Sequence, residues 1–172
     1  AEILQKVGEI EAKYADRLPT LAPGAGHLVH MPTHLYIRLG RYAEVSALNG
    51  RAIEVDRKYL GKERIEKAAD VYRLMYYTHN IHMRWAGLLF EGRSGDALAA
   101  ARDVAGATPL EAVRQMPPME FWPPVAYYTM ARFGKWDEML AEPAPPADLR
   151  FTTGVWHYAR GLAWRHRDEL TR

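Results

Sequence analysis

The chain has 172 residues, 48% of them apolar and none of them cysteine, and its 23 basic and 21 acidic side chains leave a formal charge of +2. That length and apolar content suit one domain with a substantial core, and the lack of cysteine excludes disulfides, thiolate metal sites and cysteine nucleophiles, so any metal is held by nitrogen or oxygen. The charges are mixed, with no basic face for nucleic acid, and no apolar run reaches the roughly 18 to 20 residues that span a bilayer.

In chain order, Ile3, Val7, Ile10, Tyr14 and Leu18 step by four, three, four and four, which is one apolar stripe on a helix over residues 1–18. Pro19, Pro23, Gly24 and Gly26 end it. A helix from His27 then breaks at Gly40, and a second runs from Tyr42 through Val45, Leu48 and Ala52 to Asp56. The same punctuation returns at Glu91-Gly92, followed by Ala97 and Ala101 and a stop at Pro109. A third unit starts near Pro123-Pro124, where a missing N–H costs little, turns at Phe133-Gly134, and is cut short by Pro143, Pro145 and Pro146. A fourth starts around Thr153 with Trp156-His157. The offset between the first two units is constant: 92 − 40, 79 − 27 and 82 − 30 all give 52. Residues 60–77 read as an insertion with its own periodicity in Ile65, Ala68, Ala69, Tyr72 and Met75.

The arrangement of Leu39-Gly40, Tyr42, Val45, Ala52 and Asp56 resembles the tetratricopeptide repeat, a helix-turn-helix unit of about 34 residues that stacks into a right-handed superhelix. The segments Pro-Gly-Ala-Gly-His-Leu-Val-His-Met-Pro-Thr-His, Tyr-Tyr-Thr-His-Asn-Ile-His and Gly-Val-Trp-His-Tyr-Ala-Arg-Gly, together with Gly-Arg-Tyr and Glu-Gly-Arg-Ser, are similar to those of a group of bacterial tetratricopeptide-repeat proteins carrying this histidine-rich element. The likeness spans roughly residues 15–165 and is weakest over residues 1–14. It implies an all-α solenoid in one domain of about three to four repeats, incomplete at both ends. The divisions are a partial repeat at 1–23, repeats at 26–59, 78–111 and 120–147 around the insertion at 60–77, and a partial repeat at 153–172. The start at Ala1, without a leader pattern, reads as a mature form or a fragment, and a soluble, cytoplasmic setting is favoured.

Function concentrates in the histidines. At about 100° per residue, His27, His30 and His34 fall inside an arc of about 60° on one helix face. The resemblance places these three at the groove-lining second, fifth and ninth positions of a repeat, and His79 and His82 at the second and fifth of the next. Facing helices about 8 to 10 Å apart let such imidazoles share one ion. The candidate ligands are therefore His27, His30, His34, His79 and His82, with His157 and Glu120 as weaker ones. Imidazole without thiolate suits zinc, copper, nickel or iron, and an open coordination position would support hydrolytic or oxidative chemistry. No HExxH element is present, and Gly24 and Gly26 match no nucleotide-binding fingerprint, so no nucleotide cofactor is expected.

Three readings follow: a repeat-type binding module holding a transition metal in its groove, a metalloenzyme using the same histidines, or a metal-free scaffold for a protein or peptide in the concave groove. Pro32 bears on all of them, because inside a helix it removes an N–H and clashes with the carbonyl four residues back, so a kinked helix or a helix starting near Met31 is expected. Tyr72, Tyr76, Tyr77, Trp85 and Phe90 read as core aromatics.

Overall fold

The computed structural model describes residues 2–62 and 71–170, and every regular element among them is helical. Ile65, Ala68 and Ala69 of the expected insertion lie outside the described residues. The chain divides into two compact units, Ala1–Arg93 and Ser94–Arg172. The division falls just after the Gly92 turn, inside the expected repeat at 78–111.

The first unit contains α1 (Glu2–Ala15), α2 (Leu18–Leu21), α3 (Gly26–His30), α4 (Thr33–Tyr36), α5 (Tyr42–Lys62) and α6 (Thr78–Phe90), the last entered directly from a π-helical stretch at Tyr72–Tyr77. Helix α5 is the spine. It buries Val45, Asn49, Ala52, Ile53 and Asp56, a stripe at helical spacing, and packs against α3, α4 and α6. Ala15, Tyr36, Val45 and Met83 form one core cluster, with Leu35, Ile37 and Leu48 packed on it. Tyr36 also donates its hydroxyl to Asp16, and Arg41 lies over the Tyr36 ring at 4.0 Å while pairing with Asp16 and Glu44 at 2.9 Å each.

The approach of α6 to α5 is close because Gly87 has no side chain. A Cβ built there would lie 2.8 Å from the Ser46 amide nitrogen and 3.1 Å from the Tyr42 carbonyl oxygen. Backbone cannot yield as a side chain can, so Gly87→Ala is expected to destabilise the chain by about 2 kcal/mol or more. Gly50→Ala, which meets only the Arg84 Nε at 3.9 Å, should be neutral or gain up to about 1 kcal/mol of helix propensity. Urea denaturation of the two variants beside the parent chain checks this, and equal midpoints would refute the close-packing argument.

Three glycines close the helices they follow in one geometry. Gly40, Gly92 and Gly134 have φ of 75°, 75° and 64°, a left-handed conformation that costs residues with a Cβ about 1 kcal/mol or more. In each, the next residue's N–H reaches back to a carbonyl in the last turn: Arg41 to Tyr36 at 2.9 Å, Arg93 to Leu88 at 3.1 Å and Lys135 to Met130 at 2.9 Å. This is the Schellman bond, and it realises the helix stops read at these positions.

The second unit contains α7 (Ser94–Ala107), α8 (Leu110–Gln115), a 3₁₀ turn (Pro117–Phe121), α9 (Val125–Arg132), α10 (Trp136–Ala141) and α11 (Arg150–Leu170). Prolines set several boundaries: Pro109 and Pro124 precede α8 and α9, and α10 stops before Pro143. Helix α9 packs on α7 and α11, and α10 on α11. Ala101, Val104, Met130, Met139, Ala159 and Ala163 are fully buried. The proline-rich connection is held to α11 by Arg160, which donates to the Leu140 carbonyl at 2.6 Å, and by the Trp156 indole, which donates to the Glu142 carbonyl at 3.3 Å. Among the described residues, no helix is long and apolar enough to cross a membrane.

Candidate metal centre

Pro32 sits between the two short helices that carry His27, His30 and His34. Met31 and Pro32 both keep right-handed helical angles, so α3 and α4 are two pieces of one kinked path rather than a helix starting at Met31. Pro32 cannot donate, and the break shows in the bonding. The His34 amide reaches Met31 at 3.3 Å, and the His30 carbonyl is taken by the Thr33 hydroxyl at 2.7 Å. His30 and His34, one on each side of the kink, still meet, with ring centroids 4.6 Å apart.

His79 arrives from α6, carried in by the close α5–α6 packing. One ring nitrogen each from His30, His34 and His79 lies within 4.8 Å of the other two. The His34 Nε2 is the shared vertex, 2.9 Å from the His30 Nε2 and 3.3 Å from the His79 Nε2. Two Zn–N bonds of about 2.0 to 2.1 Å at a tetrahedral angle put their nitrogens about 3.3 Å apart, close to the two separations at His34.

The tautomer of His30 follows from its other side. The Asn49 amide nitrogen donates to the Val45 carbonyl at 2.8 Å and the Thr33 hydroxyl at 3.1 Å, which turns its carbonyl oxygen toward the His30 Nδ1 at 2.8 Å. Nδ1 must then carry the proton, and Nε2 presents a lone pair to the cluster. A buried carbonyl fixing a ligand histidine in this way is the usual second layer of an imidazole metal site. His30 and Asn49 are both completely buried.

Electrostatics keep the donors neutral. Burial pushes His30 down to about 3, against an opposing contribution from the Asn49 hydrogen bond, with His79, His34 and His27 lowering it further. Burial likewise pushes His79 down to about 4, and the neighbouring His34 and His27 add to the effect. Burial also holds His34 below the ordinary imidazole value. Burial thus works against charge on all three rings, and with the His30 Nε2 an acceptor, the 2.9 Å contact makes the His34 Nε2–H its donor.

Of the remaining candidates, His27 and His82 belong to the same unit as this nucleus, and His157 and Glu120 to the other. His27 stacks on His30 at 5.3 Å and meets the Tyr76 ring edge at 4.6 Å, and its buried Nδ1 has no hydrogen-bond partner among the described residues. His82, one turn beyond His79, stacks on Trp85 at 4.9 Å, and burial pushes it down to about 4. His157 is exposed on α11 in the second unit. Glu120, also in that unit, accepts the Thr152 amide at 2.9 Å and so satisfies the first turn of α11.

Beside the cluster lies a buried carboxylate. Asp56, 1% exposed, accepts the Tyr72 hydroxyl and the Asn80 amide, each at 2.8 Å. Burial raises its pKa, while those two bonds and the nearby His27 lower it. Tyr72 belongs to the π-helical stretch, where the Thr78 hydroxyl bonds the Arg73 carbonyl at 3.0 Å. Such wide turns recur at functional sites. The aromatics expected in the core are at most half-buried: Tyr76 and Phe90 are 42% and 48% exposed, and Tyr72, Tyr77 and Trp85 are intermediate. For Tyr72, Tyr76 and Tyr77 the π-winding departs from the 3.6-residue period, whereas Trp85 and Phe90 lie in the regular α6.

The fold and site together define an all-helical protein in which three histidines lie close enough to hold a metal ion. No known protein family, curated protein or solved structure matches the chain.

Proposed function

We propose that the chain is a tetratricopeptide-type binding module that holds a transition metal through His30, His34 and His79. His27 and His82 flank that site, and a protein or peptide is the partner its groove takes. The repeat reading is supported by the three glycine turns, each with the same backward hydrogen bond and each following a helix. The metal reading rests on one observation above the others: Asn49 fixes the His30 tautomer so that Nε2 points an unprotonated lone pair at two further imidazoles. Neutral nitrogen donors suit zinc, copper, nickel or iron. No ligand role is proposed for His157 or Glu120.

Elemental analysis of untagged chain is expected to give about one metal per molecule. Metal-free chain should gain about 2.7 kcal/mol of stability at zinc concentrations a hundred times the dissociation constant. Asn49→Ala, which frees the His30 tautomer, should weaken zinc binding about 10- to 100-fold, and His34→Ala should remove the shared vertex altogether. A clean metal-free preparation that zinc, copper and nickel all fail to stabilise would overturn the proposal.

A metalloenzyme is the second reading, favoured by the exposure of His34. Three protein ligands with solvent at one side leave a fourth position for water or substrate, the arrangement of catalytic rather than structural zinc.

A further inference from the structure

His34 belongs to two features at once. Its Nε2 is the vertex of the histidine cluster, and the residue also lines a cavity of about 480 Å³ between α1, α2 and the α3–α4 kink. That volume is within the range of small-molecule sites, about 300 to 1,000 Å³. Apart from His34, the walls are Tyr14, Ala15, Leu18, Met31, Pro32 and Leu35, and the charged side chains lining it are Glu11 and Arg38. Tyr14 is 65% exposed and Met31 is 38% exposed, so apolar surface stands open to solvent beside the metal position.

Resting on the metal reading above, we infer that this cavity binds the apolar body of a small monocarboxylate whose head completes the coordination sphere beside His34. The charge balance selects the head. Three neutral imidazoles leave a divalent ion with its full charge, so an anionic oxygen is the favoured fourth donor. At the same cavity Arg38 offsets the Glu11 carboxylate and offers a planar fork that suits a carboxylate. The apolar walls select the body, because each methylene withdrawn from water there contributes to affinity and a purely polar ligand leaves that surface wet.

Hexanoate and acetate are the probes, titrated calorimetrically into the whole chain with and without zinc. The zinc-loaded chain should bind hexanoate on the order of a hundred-fold more tightly than acetate, as four further buried methylenes imply, and more tightly than the zinc-free chain does. Met31→Glu, a change at an exposed position, should abolish that preference while zinc binding persists. If zinc binds but hexanoate is held no better than acetate, or equally well by Met31→Glu, the cavity inference falls and the metal reading stands. Equal hexanoate affinity with and without zinc also overturns it, since the head would then not reach the metal. Failure of zinc itself to bind removes both.

Discussion

Replacing Gly26 by alanine is expected to destabilise the chain by about 3 kcal/mol or more, near the upper end for a single overpacking change. The position is the first residue of α3, and Asp56 of α5 packs directly on its Cα. A Cβ there would lie 1.9 Å from the Asp56 Oδ1, 2.6 Å from its Cγ and 2.8 Å from the Ala52 carbonyl oxygen. Neither neighbour has room to give. The carbonyl belongs to the backbone of the central helix, and the carboxylate is tied by Tyr72 and Asn80 at 2.8 Å each. Moving Asp56 would leave a buried carboxylate short of its donors, and each such charged bond contributes about 1.5 to 3 kcal/mol. Moving α3 instead shifts His27 and His30, so zinc affinity should fall along with the denaturation midpoint. Gly24→Ala is the control, because a Cβ there meets nothing within 4 Å. Equal midpoints for the two variants in guanidinium denaturation would show that the α3–α5 contact is not as close as described.

The glycine turns were legible because a helix stop is a local event. Gly40, Gly92 and Gly134 each follow a helix, and the left-handed residue a Schellman turn needs is a glycine that can be read directly from the sequence. The histidines were legible as a repeated set, but not as a site. The 52-residue offset pairs His27 with His79 and His30 with His82, whereas the structure brings His79 to His30 and His34. Two departures from the uniform helical period separate those outcomes: the kink at Pro32 and the π-winding before Thr78. The third determinant, the approach of α6 at Gly87, is a contact between residues 41 positions apart from Ser46, since 87 − 46 = 41, and no local pattern encodes it. Asn49 left a trace: an amide in a stripe shared with Val45 and Ala52 must find buried partners. What it bonds to is a tertiary fact. The exposure of Tyr76 has the same origin, because it lies in the π-helical stretch, where residue spacing no longer predicts a face.

Acidification of metal-free chain should destabilise it steeply, with the loss beginning near pH 6.5. The folded chain holds His30 down at about 3 and His79 and His82 at about 4, while an unfolded chain titrates its histidines near the ordinary value of about 6.5. Between those values, the unfolded chain binds more protons than the folded one. Stability therefore rises with pH across this window, is fully present above about pH 6.5, and is lost as pH falls toward the folded values. Each histidine kept neutral by the fold contributes a slope of up to about 1.4 kcal/mol per pH unit. Asp56 opposes the trend. Its raised pKa means that the fold takes up a proton there more readily than the unfolded chain does, which recovers part of the loss where carboxylates titrate. Asp16 and Glu44 act in the other direction at still lower pH, because their bonds to Tyr36 and Arg41 hold them below the usual carboxylate range. Thermal melts in chelator from pH 7.5 to 4.5 test the sum. His79→Gln, which keeps a polar side chain but cannot titrate, should flatten the slope by close to one proton. A melting temperature that stays level between pH 6.5 and 5, or a slope unchanged in His79→Gln, would show that these imidazoles are not held neutral by the fold, and the unprotonated donor set required for metal would lose its footing.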